Sequence, residues 1–192
     1  ERSRGLGDVY KRQLQQKKLV YYLTEAALHG RDILFDQNGK YNLQIRKLLE
    51  AVYLHFNGDR TSDDFKALEV YLKRVWFSSG IHHHYACDKF EPGFSQEFLW
   101  KCMQELNDVD LAFAKDETRE DLRRKLFPVI FDASVMPKRV NQADGADLVV
   151  TSAANYYEGV TQAEAEDFYA RMKSPDTAAV SYTHLTLPTI RL

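Results

Sequence analysis

The chain has 192 residues, of which 44% are hydrophobic and 28% are charged, with a formal net charge of −2 and two cysteines. This composition is typical of a globular protein and excludes an intrinsically disordered chain and a disulfide-stapled scaffold. The small negative charge argues against a nucleic-acid-binding surface, and no apolar run approaches the roughly 18 residues of a membrane span. We therefore expect no nucleic-acid partner and no membrane span in this segment.

The two ends differ from the rest of the sequence. Residues 1–13 and 180–192 show neither helical nor strand periodicity. One codon choice for residues 8–13 has a reverse complement that, in a shifted frame, encodes residues 180–184, as the two strands of one oligonucleotide would. Both tails therefore resemble translated sequencing-adaptor sequence, and such segments are set aside before fold reasoning. The native region is expected to be residues 14–179, and to be incomplete.

Apolar residues at helical spacing predict three helices in the first half of the chain. The first is expected over residues 15–35, before a turn at Asn38-Gly39. The second ends at Asn57-Gly58, and the third begins at a capping box formed by Thr61 and Asp64 and ends near Gly80. The three stripes are Leu19, Tyr22, Leu23, Ala26, Ala27, Gly30, Ile33 and Leu34; Ile45, Leu48, Leu49, Val52, Tyr53 and Phe56; and Phe65, Leu68, Leu72, Val75 and Trp76.

The middle of the chain alternates loops and short helices. Residues 81–94 lack periodicity and are predicted to form a loop, after which Ser95 is a good N-cap for a fourth helix. Thr118 with Asp121 opens a further helix, which Pro128 is expected to limit. The apolar residues 129–131 are then expected to be extended.

The last part predicts a turn over residues 141–145 and a helix over residues 148–157. A second capping box, Thr161 with Glu164, precedes a final helix. The predicted fold class is therefore mainly α, with at most a few short strands.

The densest group of polar side chains is His82, His83, His84 and Tyr85 in the predicted loop. Imidazoles are ligands for zinc, but in an extended chain His82 and His84 could converge while His83 points away. The favoured interpretation is that ring N–H groups donate to backbone carbonyls and pin the loop against the preceding helix. Lining of a ligand cleft is the other alternative, and no metal site is predicted.

Other reactive or charged groups are expected to be structural. Cys87 is close to His84 in sequence, but three residues of separation do not make a nucleophile and its base. Arg31-Asp32 is expected to be an exposed or partly buried ion-pair site rather than a catalytic acid, and Lys138-Arg139 is too short to form a basic patch.

Residues 75–85 (VWFSSGIHHHY), followed by Asp88-Lys89-Phe90, resemble the N-terminal part of bacterial dipeptidyl peptidase III, especially of the Bacteroides type. Three flanking strings agree with that resemblance: residues 27–42 (ALHGRDILFDQNGKYN), 136–147 (MPKRVNQADGAD) and 152–161 (SAANYYEGVT). The resemblance covers residues 14 to about 176.

The resemblance implies a two-lobed zinc exopeptidase that releases dipeptides from the N-termini of short peptides. In that family two histidines and a glutamate hold zinc, on an H-E-x-x-x-H type helix and a second acidic motif, both downstream of this region. The resemblance thus implies zinc in the full-length parent, none bound by this fragment, and no catalytic residue here. His82, His83, His84 and Tyr85 are the candidates for the substrate cleft.

The resemblance places this segment in the mostly helical N-terminal part, which helps to build the lobe opposite the zinc site. The fragment is expected to be inactive alone. The alternative is a free-standing helical binding or scaffold domain without catalysis. Localisation stays open between cytoplasm and periplasm, because a signal region would precede residue 14.

Overall fold

The computed structural model describes residues 13–111, 113 and 115–172. The adaptor-like residues 1–12 and 180–192 lie outside this part of the chain. Within it, the mainly α fold is confirmed. The helices are α1 (Leu14–His29), α2 (Arg31–Asn38), α3 (Asn42–His55), α4 (Asp63–Ser78), α5 (Gln96–Glu105), a 3₁₀ turn (Asp108–Asp110), α6 (Arg119–Phe131), α7 (Leu148–Thr151) and α8 (Gln162–Met172).

The core lies between α3, α4, α5 and α6, where apolar residues at helical spacing face one another. Burial of this apolar surface is the main favourable term for the fold. Side chains with an exposed fraction below 2% are Ile45, Leu48, Leu49, Val52, Leu68, Tyr71, Leu72, Val75, Ile81, Leu99, Met103, Leu122, Leu126 and Ile130.

The junction between α5 and α6 depends on Arg119. Its guanidinium donates to the backbone carbonyls of Met103 at 2.5 Å and Leu106 at 2.6 Å, which lie at the C-terminal end of α5, and pairs with Asp108. A cation at a helix C-terminus satisfies carbonyl groups that have no partner within the helix. Arg119 therefore fixes the start of α6 against the end of α5.

The predicted helix over residues 15–35 is instead two helices, separated at Gly30. Gly30 has φ −73° and ψ −11°, at the edge of the helical region, and glycine is a weak helix former. Every residue of α1 is exposed or half-buried, and Tyr22 and Leu23 of the predicted stripe are 66% and 60% exposed. The apolar stripe of α1 is therefore present in the sequence, but the described part of the chain does not bury it.

Of the two capping boxes predicted at the starts of α6 and α4, one is correct and the other is wrong. The box formed by Thr118 and Asp121 is confirmed at the start of α6. Thr61 is not the cap of α4, because its N–H and hydroxyl both donate to Asp59 Oδ1, at 2.8 and 2.7 Å. Ser62 caps the helix instead and accepts the N–H of Phe65.

The expectation that Pro128 limits the sixth helix and leaves residues 129–131 extended is wrong. Pro128 lies inside α6, which continues to Phe131. Val129 is 4% exposed and Ile130 is fully buried, so burial of these side chains outweighs the loss of one backbone hydrogen bond at proline.

The predicted helix over residues 148–157 is also wrong beyond its first turn, because α7 ends at Thr151. The amides of Ala153 and Ala154 donate to the carbonyls of Lys138 and Arg139 at 3.0 and 3.1 Å. These hydrogen bonds to a distant segment replace the helical ones. The box formed by Thr161 and Glu164 is confirmed at the start of α8.

The side chain of Asn42 lies between two glycines and joins α3 to the end of α4. Asn42 is 2% exposed, and its Oδ1 accepts the N–H of Ile81 at 3.3 Å. A Cβ on Gly39 would lie 2.8 Å from Asn42 Nδ2, and one on Gly80 would lie 2.9 Å from Asn42 Cγ. A side chain at either glycine would therefore collide with the buried amide of Asn42.

Gly80→Ala is expected to lower the free energy of unfolding by about 3 kcal/mol, since it adds a clash with a buried side chain to a strained φ of 154°. Gly145→Ala is the matched control, because φ is 77° there but nothing lies within 4 Å of the new Cβ. The control is expected to cost about 1 kcal/mol. Urea unfolding followed by circular dichroism measures both, and equal losses would show that Asn42 does not occupy the space assigned to it.

A search of the helices in the described residues finds none that is long and apolar enough to cross a membrane.

Candidate functional site

The candidate site is built on the loop that follows α4. The helix ends at Ser78, and Ser79, rather than the expected Gly80, adopts the left-handed conformation with φ 52°. The carbonyl of Ser79 accepts Asn38 Nδ2 at 3.0 Å, while the N–H of Gly80 donates to the carbonyl of Val75 at 3.0 Å. Asn38 and Asn42 thus hold the start of the loop from both sides of the Asn38-Gly39 turn.

The loop is one part of a small ladder of extended segments. His82 pairs with Lys89 across the loop in an antiparallel bridge, and Asp88 pairs with Lys138 in a second one. The N–H of Lys89 donates to the carbonyl of Pro137 at 3.2 Å, and the N–H of Arg139 donates to that of Cys87 at 2.9 Å.

On its other side the 137–139 segment bonds to Ala153 and Ala154, and the N–H of Asn155 reaches the carbonyl of Gln37 at 2.9 Å. The ladder therefore brings together parts of all four sequence strings that resemble dipeptidyl peptidase III.

His82 is buried and pins the ladder with its ring. The side chain is 2% exposed, and Nε2 lies 2.8 Å from the carbonyl oxygen of Met136. Since a carbonyl only accepts, Nε2 carries the proton. Burial lowers the pKa of His82, and the nearby charges of Lys89 and Arg139 act in the same direction, while the bond to Met136 opposes them. His82 is therefore held neutral and is turned away from solvent.

His83 and His84 do not take the alternating arrangement that an extended chain predicts. Residues 84–86 form a turn, so the rings of His83 and His84 stack with centroids 4.7 Å apart instead of pointing to opposite faces. His84 also packs edge-on against Phe77 of α4 at 4.9 Å. His82 turns inward, and its ring N–H donates to the Met136 carbonyl.

The four cleft candidates thus divide into one buried group and three at the surface. His83 and His84 are half-buried, and Tyr85 at the tip is 85% exposed. The idea that they contact a ligand stays a prediction for His83, His84 and Tyr85, whereas His82 has a structural partner.

A cleft of about 340 Å³ lies beside the ladder, where the loop faces the end of α6. Its floor is apolar and its rim carries the ion pair of Asp88 and Lys138. The lining includes Phe90, Pro92, Ile130, Phe131, Ala133 and Pro137.

Two cations that hold the loop were missed by sequence reasoning. Lys89 Nζ donates to the carbonyls of Asp132 at 2.6 Å and Val135 at 2.9 Å, and burial lowers its pKa. Arg139 Nη2 donates to the carbonyl of His84 at 2.8 Å and lies 3.8 Å from Cys87 Sγ. Their partners are backbone groups about 45 to 55 residues away, and no sequence pattern marks these. The Asp88-Lys89-Phe90 string of the resemblance was the available signal for Lys89.

Arg31 and Asp32 do not pair with each other. Asp32 binds Arg46 of α3, with Oδ1 2.9 Å from Nη1, so the expected ion pair at this position forms between two helices.

Two of the imidazole nitrogens in the loop already have partners. His82 Nε2 is taken by a carbonyl, and His83 Nδ1 accepts two backbone amides, so neither nitrogen offers a free lone pair to a metal. No cluster of three or more His, Cys, Asp or Glu able to hold a metal occurs in residues 13–111, 113 and 115–172. No chemical step through zinc is derived for these residues.

Comparison of the chain with protein-family models and with curated proteins found no match. The resemblance to dipeptidyl peptidase III therefore remains a prediction from the residues quoted above.

Lys89→Met is expected to lower the free energy of unfolding by about 2 kcal/mol, because it removes two charge-assisted hydrogen bonds and leaves the Asp132 and Val135 carbonyls without them. Lys138→Met, which breaks an exposed ion pair with Asp88, is the control and is expected to cost less than about 1 kcal/mol. Thermal and urea unfolding of both variants would measure the difference. A Lys138 variant as unstable as the Lys89 variant would contradict the assignment of Lys89 as the main cationic support.

Proposed function

We propose that this chain is the N-terminal helical region of a zinc-dependent dipeptidyl peptidase of the dipeptidyl peptidase III type, which releases dipeptides from the N-termini of short peptides. In this proposal the segment belongs to the lobe opposite the zinc site. The zinc ligands and the general base belong to a part of the parent protein outside this sequence, and the fragment alone is inactive.

The observation that carries the proposal is the convergence of the four sequence strings. Residues 27–42, 75–90, 136–147 and 152–161 are far apart in the chain, yet backbone and asparagine hydrogen bonds join them around one loop. Residue strings that share one structural unit support a common origin better than isolated matches do.

The exposed apolar residues of α1 and α8 give a second line of support. Every residue of these two helices is exposed or half-buried, and the exposed apolar side chains include Leu19, Tyr22 and Leu23 on α1 and Phe168 and Met172 on α8. Contiguous apolar surface of this kind ordinarily marks a contact with further protein. A region that packs against the rest of a two-lobed enzyme would present such surfaces.

The role proposed for the segment is to position substrate. The loop tip with His83, His84 and Tyr85 and the cleft beside Phe90 present aromatic and apolar surface to a short peptide. The Asp88–Lys138 ion pair on the rim offers both signs of charge for backbone and terminal groups. Peptide bond hydrolysis itself is assigned to groups outside this chain.

The test is to sequence the encoding locus beyond the codon for Asp176 and to express the whole open reading frame. The expected result is an H-E-x-x-x-H motif some hundreds of residues downstream, and chelator-sensitive release of dipeptides from dipeptidyl-arylamides by the whole protein. The 192-residue chain in the same assay is the control and should be inactive.

Two outcomes would count against the proposal. A stop codon soon after Asp176 would favour the alternative, a free-standing helical binding or scaffold domain. Chelator-sensitive hydrolysis by the 192-residue chain alone would overturn the statement that the fragment is inactive.

A further inference from the structure

His83 closes the turn at the loop tip with its own ring. Its Nδ1 accepts the backbone N–H of Tyr85 at 3.2 Å and that of Ala86 at 3.0 Å. This is the pattern of an Asx turn, in which the Oδ1 of Asp or Asn accepts amides a few residues further along the chain. An imidazole can replace that oxygen only while Nδ1 carries no proton.

The backbone of the turn depends on these hydrogen bonds. The N–H of His83 donates to the carbonyl of Asp88 at 2.7 Å, and its carbonyl accepts the N–H of Cys87 at 3.0 Å. Cys87 adopts φ 62°, a conformation that costs energy for a residue other than glycine. The turn is therefore strained at Cys87, and it is held by these two backbone hydrogen bonds together with the ring nitrogen of His83.

The ring of His83 lies among aromatic rings. Its ring meets His84 at 4.7 Å and the edge of Phe90 at 6.1 Å, and Arg74 lies over that same Phe90 ring at 5.9 Å. The neighbouring Asp88 is paired with Lys138. Next to His82 the charged groups are the cations Lys89 and Arg139.

We propose that the loop tip is a pH-sensitive latch: the closed turn 84–86 requires His83 Nδ1 as an acceptor, and a proton on that nitrogen would remove the acceptor of the Tyr85 and Ala86 amides and open the turn. Imidazoles are the side chains that ordinarily change charge between pH 5 and 8. Protonation turns Nδ1 from an acceptor into a donor that faces two other donors. The closed turn therefore forms only when the ring of His83 is neutral.

Opening the turn would also affect the hydrogen bonds between residues 84–87 and Arg139. The carbonyl of His84 binds Arg139, and the carbonyl of Cys87 binds the Arg139 amide, so movement of residues 84–87 loosens the ladder at Arg139. The latch rests on the geometry of the loop and does not depend on the proposed peptidase function.

Amide exchange with solvent, measured by NMR at pH 7.5 and pH 5.0 and corrected for the intrinsic rate at each pH, tests the latch. The protection of Tyr85 and Ala86 is expected to fall by about fivefold at the lower pH, because each amide loses the hydrogen bond to the ring nitrogen. The amide of Phe98 is the internal control, because it is held by the hydroxyl of Ser95, which does not titrate in this range.

Substitutions identify the group responsible. His83→Asn places an oxygen that cannot be protonated where Nδ1 lies, so protection should persist at both pH values, whereas His83→Ala should lose it at both. His29→Asn, on exposed α1, should keep the response of the unsubstituted chain. Equal protection at both pH values in the unsubstituted chain, or an undiminished response in His83→Asn, would overturn the proposal.

A further measurement needs no variant. The ¹⁵N shifts of the His83 ring should report an unprotonated Nδ1 at pH 7.5 and its protonation in step with the loss of Tyr85 and Ala86 protection. A ring with Nδ1 protonated at pH 7.5, or protonation without loss of protection, would contradict the latch.

Discussion

The arrangement of the candidate site depends on one buried amide. Asn42 is placed by the first turn of α3, and its side chain fills the space that two missing Cβ atoms leave at Gly39 and Gly80. Its oxygen receives the first amide of the loop, that of Ile81, which is itself fully buried in the core. A close backbone approach of this kind transmits the position of the helical core to the loop without relying on long side chains.

From that point the loop is fixed mainly by backbone groups and by a few side chains that donate to backbone carbonyls. His82, Lys89 and Arg139 each donate to the carbonyl of a residue in another segment, and none of them relies on a carboxylate partner to do so. Hydrogen bonds of this type fix direction as well as distance, and charged donors strengthen them. The result is an irregular loop that presents Tyr85 at its tip while its base stays buried.

Local chemistry made part of this structure predictable and tertiary packing determined the rest. Ser95 and the pair Thr118 with Asp121 carry short-range signals, since their partners lie within three residues. The predictions for Pro128 and for residues 148–157 were wrong because tertiary structure overrides local preference. Burial of Val129 and Ile130 extends α6 past the proline, and hydrogen bonds to residues 138 and 139 end α7 early. For the site, the polar loop was recognised from its histidines, but Asn42, Lys89 and Arg139 were not, because their partners are 39 to 55 residues away.

The central claim is that the loop and its flanking segments form one structural unit, and native-state hydrogen exchange at increasing sub-denaturing urea tests it most directly. The amides to follow are those of Ile81, Lys89, Arg139 and Ala153, which together cover three junctions of the unit: Ile81 to Asn42, Lys89 and Arg139 between residues 87–89 and 137–139, and Ala153 to Lys138. Our account predicts that all four exchange through a single opening, with one free energy and one dependence on urea. Exchange of Arg139 and Ala153 through a separate opening of lower free energy that does not respond to urea would contradict it.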